Sequence, residues 1–491
     1  MYKSILQFCQ KGAKNLENSS ANFFTNPKDI AGFVESVSNE VIKLGCSFIG
    51  EVFSELDQGI RDSQIRKKNW EIVRRDRRTM ICSLGEFSFD KTLYKHKKTG
   101  ERKYLLDSYL ELNSYSRITE DAQAKILSEA AQTSYRKAGD AVSITDNVSK
   151  GTVKNMIHNI KFPPPIYQEE LKKVEYLYIE ADEDHVPLQF INQKGDIEVG
   201  SNGYKLNNVQ MKLVYVHEGI EKVAPESKRH RLINPHYFSG IYEGRENARL
   251  WDEVYEYIEK TYDLSCIKKI YLNADGGQWI KSGKNRISGM ISVLDEYHIN
   301  KYLTSMTSHL LDGKAYGREL LRDAIRNGNK SDFKEVVEII KDYAQVESDL
   351  KRIDNSALYI LSNWSATKLR LRHPNGVIGS STEGHVSHVL ASRMSSRPMG
   401  WSKNGADKMA RLRAYCWNGG DILRLIRYQS ELKEERMAAG DEVYSSSSMF
   451  LMEKEIHKNG KYYDKIQVSP SMQVRKILSI REKLNILQNK Y

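Results

Sequence analysis

Three acidic residues stand where predicted strands or helices begin or end, and they are the side chains best placed to carry chemistry. Asp182 follows a strand-like segment at 176–181, and Asp275 follows another at 270–274. Glu383 opens a predicted helix. Carboxylates at the ends of adjacent strands can converge on one point, and two or three of them can hold a pair of Mg²⁺ ions, which prefer oxygen ligands. Two such ions can activate an attacking oxygen and stabilise a leaving one on phosphorus, so the pattern indicates phosphodiester cleavage and transfer.

Each of these residues also has an ordinary structural explanation. Asp182 is equally typical of a turn at a strand end, and Asp275-Gly276 is a common turn dipeptide. Glu383 completes a capping box with Ser380, which is a routine way to start a helix. The joint occurrence of all three around one mixed block of strands and helices is what favours a catalytic interpretation.

A further pair of candidate residues lies close by in the sequence. Asp295 and His298 are three residues apart and share a face if their segment is helical. His298 could orient a phosphate or a metal-bound water, or the pair could form a surface hydrogen bond. Zinc binding is conceivable at the histidines that flank the acidic residues, although no spacing requires it; these are His185, His385 and His388.

The block that carries the acidic residues alternates between strand and helix patterns. Strands are predicted at 174–181, 209–216 and 229–241, an amphipathic helix at 247–262, and further strands at 267–274 and 287–293. This order predicts an α/β fold with a mixed sheet. Residues 302–375 have helical periodicity throughout, and another helix begins near residue 380.

The residues before this block contain two candidate DNA-binding elements. Residues 1 to about 75 are predicted to be helical. A basic run follows at 66–78, which is a candidate DNA contact and is also typical of a solvated helix face. A β-hairpin follows from Thr79, with a turn at 97–100. Two short helices then fit a helix-turn-helix, or simple helical packing; the second, capped by Ser149, would present Lys150, Thr152, Lys154 and Asn155 to DNA. Three prolines at 163–165 mark a linker.

The composition and net charge of the chain favour some classes of protein and argue against others. The chain has 491 residues and a formal net charge of +11, which predicts a polyanionic partner. No apolar run approaches the ~18 residues of a membrane span, and the N-terminus lacks a signal-peptide pattern. Five scattered cysteines form no CxxC motif, which favours a reducing cytoplasm over a disulfide framework.

Three motifs resemble a known family. Tyr178-Ile-Glu-Ala-Asp-Glu-Asp-His-Val186, Asn273-Ala-Asp-Gly-Gly-Gln-Trp-Ile280 and Leu294-Asp-Glu-Tyr-His-Ile-Asn-Lys301 are similar to segments of the ISLre-type bacterial insertion-sequence transposases. These are DDE transposases with a distant likeness to the Mutator group. The resemblance covers most of the chain, from the N-terminal helices to the helix after Glu383.

This resemblance implies a ribonuclease-H-like core interrupted by a helical insertion. Asp182, Asp275 and Glu383 would be the catalytic triad and would bind Mg²⁺, with Mn²⁺ as a substitute. Asp295 and His298 would match the Asp-x-x-His element that related transposases carry. Asp184 lies two residues from Asp182 on the same side of the strand, so either could be the first ligand. The expected divisions are a helical region at 1–78, a hairpin and helix-turn-helix region at 79–162, a catalytic core at 166–301 and 376–430, a helical insertion at 302–375, and a charged tail at 431–491.

The expected partner is DNA, both the inverted repeats at the element's ends and the target. We expect a homo-oligomer, most simply a dimer, because two ends must be held together. We also expect a cytoplasmic, nucleoid-associated protein without a membrane partner. The expected phosphate contacts, besides the helix-turn-helix residues, are Arg74, Arg75, Arg77, Arg78, Arg393 and Arg397, the last two within a basic cluster that extends to Lys403, Lys408, Arg411 and Arg413.

Two other functions fit the same residues. One is a DNA-binding regulator that keeps the fold but not the chemistry. The other is a metal-dependent nuclease that cuts DNA without joining it. A strand-transfer assay separates these alternatives, because only a transposase gives a joined product.

Overall fold

The computed structural model describes residues 2–113, 116–201, 207–373, 378, 381–397 and 399–438. The chain divides into one compact unit that ends at Tyr428 and a second that runs from Gln429 to Tyr491. Only residues 429–438 of the second unit are described, so most of the tail predicted at 431–491 lies outside the described residues. No helix in the described ranges is long and apolar enough to cross a membrane.

The N-terminal region is a set of helices packed on a small antiparallel sheet. One face of the long helix α3 covers Phe87 and Phe89 of the sheet, and Phe53 on this helix meets both rings edge-on. The elements are α1 (Lys3–Gln7), a π-helical turn (Phe8–Gly12), α2 (Ala13–Thr25), α3 (Ile30–Asp62), α4 (Gln64–Asn69), β1 (Trp70–Ile81), β2 (Glu86–His96), β3 (Arg102–Tyr104) and α5 (Leu105–Tyr109).

The prediction of helix to about residue 75 is wrong beyond Asn69. Residues Trp70–Ile81 form a strand that pairs antiparallel with β2 along its whole length. Ile72 and Val73 are β-branched, and a partner strand is available, so pairing outweighs the helical appearance of the basic run. The predicted turn at 97–100 is present, with Gly100 at a φ of +77°.

A three-helix unit follows, built from α6 (Glu120–Ala130), α7 (Tyr135–Asp140) and α8 (Lys150–Asn159). As predicted, Ser149 caps α8 by accepting a hydrogen bond from the Thr152 amide. Val153 and Ile157 are buried, which fixes the opposite face of α8 toward solvent. No helix or strand spans residues 160–175, where the proline linker was predicted.

The centre of the molecule is a mixed five-stranded sheet in the order β10-β9-β4-β5-β8. The first three of these strands in the sequence are antiparallel neighbours, whereas β9 and β10 run parallel to β4. The predicted strand at 229–241 is two strands, of which only the second joins this sheet. The elements are β4 (Tyr176–Pro187), β5 (Asn208–His217), β6 (Ile220–Lys222), β7 (His230–Leu232), β8 (His236–Gly240), α9 (Glu246–Thr261), β9 (Lys269–Ala274), α10 (Gln278–Lys281) and β10 (Met290–Leu294).

Helices cover both faces of the central sheet. On one face, Leu177, Ile179 and Ala181 of β4 pack against the apolar stripe of α9. On the other face, Leu213 and Met211 of β5 share a core with α6–α8 and with α18. The remaining helices are α11 (Glu296–Thr307), α12 (Lys314–Asn327), α13 (Lys330–Asp342), α14 (Glu347–Ser362), α15 (Trp364–Arg372), α16 (Thr382–His385), a π-helical segment (Val386–Ala391), α17 (Ser392–Met394), α18 (Lys403–Trp417) and α19 (Ile422–Ala438).

The helical insertion predicted at 302–375 corresponds to α11–α15, whose first helix begins slightly earlier at Glu296. These helices have a hydrophobic core of their own, which includes Leu321, Phe333 and Ile353. Leu294 at the end of β10 belongs to the same core, so the insertion rests on the end of the sheet where the acidic residues lie.

Two glycines of α3 give a matched test of how closely this helix approaches the sheet. A Cβ at Gly50 would overlap the carbonyl oxygen of Ser88 on β2, whereas a Cβ at Gly59 meets nothing within 4 Å. We expect Gly50→Ala to destabilise the protein by about 1–3 kcal/mol, because the backbone must shift. Gly59→Ala should stabilise it by about 0.5–1 kcal/mol through helix propensity. Urea unfolding of both variants checks this, and equal effects would contradict the packing described.

Candidate active site

Three neighbouring parallel strands each carry an aspartate at one register position. Asp275 and Asp295 directly follow β9 and β10, whereas Asp182 lies within β4, so the prediction that it stands at a strand end is wrong: pairing with β5 extends β4 to Pro187. Ala181 of β4 pairs with Ala274 of β9, and Ala274 pairs with Leu294 of β10. The next residues are Asp182, Asp275 and Asp295. Neighbouring strands lie about 4.8 Å apart, so the three aspartates follow one another along one edge of the parallel strands.

Asp275 lies close enough to Asp182 to raise the pKa of Asp182. The pKa of Asp182 is raised from 3.8 to about 7, chiefly because burial disfavours its charged form and also because Asp275 is nearby. A hydrogen bond of 2.8 Å from the Glu183 amide and the neighbouring His298 act in the opposite direction without reversing the shift. Two carboxylates in this position are stabilised by a bound cation or by a shared proton.

Asp275 begins a glycine turn whose shape depends on the helical insertion. Its Oδ1 accepts a hydrogen bond of 2.8 Å from the Gly277 amide, and its carbonyl oxygen accepts one from the hydroxyl of Tyr359 on α14. Gly276 has a φ of +84°, and a Cβ there would overlap the side-chain amide of Asn363. The Asp275-Gly276 dipeptide therefore forms the turn that its sequence predicts. Contacts from the helical insertion hold this turn at the end of β9.

Tyr359 is a site residue that the sequence did not reveal. Its pKa is raised by burial and then by the charges of nearby acids, which include Asp275, Asp295 and Asp182. Its phenol therefore stays protonated and can act as a hydrogen-bond donor beside the carboxylates. No motif signals it, because it reaches the site from a helix 84 residues away in the sequence.

Asp295 and His298 share the start of α11, as the i, i+3 spacing predicts. Asp295 caps the helix by accepting a hydrogen bond of 2.7 Å from the Tyr297 amide. His298 Nδ1 lies 3.9 Å from Asp295 Oδ2, and this nitrogen makes no hydrogen bond within the described part of the chain. Asp295 raises the pKa of His298, with further contributions from Asp275 and Asp182. His298 is thus a half-buried imidazole whose protonated form is favoured by Asp295, Asp275 and Asp182.

Glu383 lies near this cluster but is not part of it in the described structure. Its side chain is exposed on the one-turn helix α16. The preceding residues hold this turn against the sheet, because the Ser381 amide and the Thr382 hydroxyl donate hydrogen bonds of 2.9 and 2.8 Å to Glu180 Oε2. Ser380, the expected partner in a capping box, lies outside the described residues.

Glu180 is the anchor for that segment, and sequence reasoning missed it. It lies on β4 two residues before Asp182 on the same face, about 7 Å away along the strand. The carboxylate is 0 % exposed and also accepts hydrogen bonds from Tyr215 (2.5 Å) and His217 (3.2 Å) on β5. Burial favours a higher pKa for Glu180, but hydrogen bonds from His217, Tyr215 and Thr382 outweigh it and lower the pKa.

Arg370 plays a similar part from the other side of the strands. This buried side chain of α15 donates hydrogen bonds to the carbonyl of Leu294 (3.3 Å), to Asn273 Oδ1 (2.5 Å) and to the carbonyl of Ile378 (2.8 Å). It therefore ties the ends of β9 and β10 to the segment that leads to Glu383.

The remaining candidate ligands are engaged elsewhere or exposed. Asp184 accepts hydrogen bonds from the Ser395 hydroxyl at 2.7 and 3.0 Å, so the structure pairs Asp182, not Asp184, with Asp275. His385 is hydrogen-bonded to Tyr237, while His185 and His388 are exposed. Within the described ranges, no group of three or more His, Cys, Asp or Glu side chains is arranged to hold a metal ion.

The predicted DNA-binding residues separate into exposed and buried ones. On α8, Lys150, Lys154 and Asn155 are exposed, whereas Thr152 is half-buried beside Ser149. Arg77 and Arg397 are also exposed. Arg74 and Arg75 are exposed too, but each is paired, with Asp76 at 2.9 Å and with Asp90 at 3.3 Å.

Two arginines that were predicted to contact DNA are structural instead. Arg78 is buried and forms an ion pair of 3.0 Å with Asp107. Arg393 is buried, donates to the carbonyl of Ala130 at 3.0 Å and lies over the ring of Trp401. Their guanidinium groups are used within the fold, so neither is available to a phosphate.

Comparison with known proteins places the chain in a family. A profile described as "Uncharacterised protein family (UPF0236)" matches residues 24–431. The chain belongs to the UPF0236 family. It is 34% identical over 420 residues to a UPF0236 protein of Caldanaerobacter subterraneus subsp. tengcongensis whose name joins eleven loci, covering 85% of this chain and 84% of the relative. A second UPF0236 protein of that organism, whose name joins four loci, is 35% identical over 395 residues, or 80% of this chain and 79% of the relative.

The raised pKa of Asp182 predicts how the stability of this UPF0236 protein depends on pH. The unfolded chain ionises Asp182 near pH 3.8, whereas the folded chain holds the proton until about pH 7. Stability is therefore lost as pH rises through this interval, by an amount on the order of 2–4 kcal/mol. In metal-free buffer, Asp182→Asn should melt several degrees higher than the natural protein at pH 8, and the two should melt alike at pH 4.

The control for this experiment is Asp312→Asn, which changes an exposed aspartate of the insertion. It should leave the melting temperature unchanged at both pH values. A gain in Asp182→Asn that is the same at pH 4 and pH 8 would contradict the electrostatic explanation.

The buried carboxylate of Glu180 predicts a large loss of stability when it is removed. Glu180→Ala leaves the donors of His217, Tyr215 and Thr382 buried without an acceptor, so we expect a loss of about 3–5 kcal/mol. Glu383→Ala, which removes an exposed carboxylate from the turn that Glu180 anchors, should change stability by about 0.5 kcal/mol or less. Denaturant unfolding measures both, and similar losses in the two variants would refute the anchoring role.

Proposed function

We propose that this protein is the transposase of an insertion sequence and that it cuts and joins DNA by a Mg²⁺-dependent DDE mechanism. The observation that carries the proposal is the pairing of Asp182 with Asp275 at one register position of adjacent parallel strands. Carboxylates arranged in this way suit two-metal chemistry on phosphodiesters.

The strand order supports a ribonuclease-H-like core. Three antiparallel strands, β4, β5 and β8, are followed by β9 and β10, which add in parallel on the other side of β4. A helical insertion then separates β10 from Glu383. This is the architecture that the resemblance to ISLre-type transposases implies.

The donor set fits a hard divalent cation. Asp182 and Asp275 offer carboxylate oxygens, and burial together with the nearby Asp275 makes the charged form of Asp182 costly without a counter-ion. They would hold Mg²⁺ or Mn²⁺, with Glu383 as the third ligand once α16 turns its side chain inward. When bound, the metal supplies Lewis acidity at the scissile phosphate.

The protein's own residues would orient the DNA and keep the charge balance of the site. His298, stabilised as a cation by Asp295, would donate a hydrogen bond to a phosphate oxygen beside Asp182 and Asp275. Tyr359 holds the Asp275 turn in place through its hydroxyl. No serine or tyrosine nucleophile is required, because the freed 3′-hydroxyl of DNA attacks the target strand directly.

The naming of the relatives supports a mobile element. One name joins eleven loci of a single genome, and another joins four. Many copies of one protein in one genome are what an element that copies or moves itself leaves behind. DNA that surrounds the gene should accordingly contain imperfect inverted repeats, and two such ends would be brought together by an oligomer.

A strand-transfer assay tests the proposal. The purified protein is mixed with Mg²⁺, a labelled duplex that carries the element's inverted repeat, and a target plasmid. We expect a joined product that disappears with chelator and falls at least 1,000-fold in Asp182→Ala and in Asp275→Ala, a loss in the range of deleting a catalytic group. Asp312→Ala, which removes an exposed carboxylate of the insertion, is the matched control and should retain activity.

Each other outcome identifies an alternative. Cleavage without joining and without preference for the repeat would indicate a metal-dependent nuclease. Specific DNA binding that survives in Asp182→Ala, with no chemistry in the natural protein, would indicate a regulator. Either result would overturn the proposed transposase activity.

A further inference from the structure

The unpaired positive charge of the N-terminal region is concentrated at one end of its small sheet. Seven cationic side chains there are all exposed, and none forms an ion pair within the described residues. We call this group the basic tip; it consists of Lys67 and Lys68 at the end of α4 and of Lys95, Lys97, Lys98, Arg102 and Lys103 on the β2–β3 hairpin. The neighbouring acidic side chains are Glu101, in the turn between β2 and β3, and Glu71 on β1, which pairs across the sheet with Lys95.

On the neighbouring part of β1, by contrast, most of the arginines form ion pairs. Arg74, Arg75 and Arg78 are paired with Asp76, Asp90 and Asp107 respectively. Most of the positive charge on this part of β1 is thus neutralised by carboxylates of the N-terminal region, although residues 66–78 are the more conspicuous basic run in the sequence. The basic tip keeps its charge available for an external anion.

The basic tip is held as one body. The Lys97 amide donates to the carbonyl of Asn69 at 2.9 Å, and Lys97 Nζ donates to the carbonyl of Lys67 at 2.8 Å. Trp70 and His96 pack edge-to-face at 4.8 Å, and the Gly100 amide closes the turn by bonding to the His96 carbonyl at 2.9 Å. Binding of a polyanion to an ordered array of cations costs less conformational entropy than binding to a flexible array.

The shape and chemistry of the basic tip favour duplex DNA. Beyond the Trp70–His96 pair, only the turn that joins β2 to β3 projects from the three-stranded sheet. The major groove of B-form DNA is about 12 Å wide and admits two adjacent β-strand segments, so it can accept this turn. The major groove of an RNA duplex is too narrow to admit it. Residues 95–103 contain no aliphatic or aromatic anchor other than His96, so the hairpin lacks the apolar side chains that insert into a lipid surface.

We propose that the basic tip is a DNA-binding surface that inserts the turn between β2 and β3 into the major groove and contacts the flanking phosphates. This deepens the proposed function, on which it rests for the choice of DNA as substrate. The contacts are to the backbone, so they position the duplex without reading its sequence.

Anisotropy of a labelled 30-base-pair duplex, measured as a function of salt, tests this surface. The variant Lys97→Glu/Lys98→Glu/Lys103→Glu should bind DNA at least tenfold more weakly at about 100 mM salt. Its log–log salt slope should be shallower by about 2–3, because about 0.9 is lost for each phosphate contact. Thermal melting of the variant checks that the fold is intact.

The matched control is Lys314→Glu/Lys330→Glu/Lys334→Glu, which makes the same change in net charge at exposed lysines of the insertion. Its affinity and slope should stay close to those of the natural protein. Equal effects in the two triple variants would overturn the proposal, because only net charge would then matter. An RNA duplex or anionic vesicles that compete as well as DNA would overturn the choice of partner.

The proposal and the proposed function can fail separately. If the natural protein joins DNA and the tip variant binds and joins it equally well, the tip is not a DNA surface but the transposase activity stands. If the natural protein binds DNA with a steep slope that the tip variant loses, yet neither joins DNA, the surface stands and the transposase activity falls.

Discussion

A single buried carboxylate joins the central sheet to the chain that follows the helical insertion. Glu180 accepts hydrogen bonds from two side chains of β5 and from two groups at the start of α16. A carboxylate removed from water is costly unless each of its lone pairs is used, so the four donors must be present together. The position of the segment that carries Glu383 therefore depends on the same side chain that stiffens β4 beside Asp182.

The candidate active site differs from the surroundings of Glu180, because its ionisable side chains lie close together and have fewer partners that neutralise their charge. Burial and Asp275 disfavour the charged form of Asp182, and His298, whose protonated form these acids favour, offsets this only in part. Proteins tend to keep such an arrangement where a ligand will supply the missing charge. Glu180 and Arg370, whose polar atoms have several hydrogen-bond partners, fix the strands on either side and so keep Asp182 in an environment that disfavours its charge.

The sequence allowed most of the central strands and α9 to be predicted, because the alternation of apolar and polar residues is a local pattern. Asp275 stands at a strand end as predicted, whereas Asp182 lies within β4, because the sequence does not show that pairing with β5 extends this strand to Pro187. Tyr359 and Arg370 could not be predicted, since they reach the site from a separate helical core. The prediction that Arg78 of the basic run contacts DNA is wrong for a different reason. The sequence shows that the residue is charged, but only the structure shows that it is buried and paired with Asp107.

Glu180 and Ser381 are 201 residues apart in the chain, whereas Glu180 and Tyr215 are only 35 apart. At a translation rate of roughly 5–20 residues per second, about 10–40 s separate the emergence of Glu180 and Ser381 from the ribosome. During that interval the nascent sheet can form around Glu180 with its β5 donors alone, and the segment at Ser381 and Thr382 reaches Glu180 only after the whole insertion has been made. Long-range closure of this kind is slow, so assembly of the site is expected to be the final step of folding.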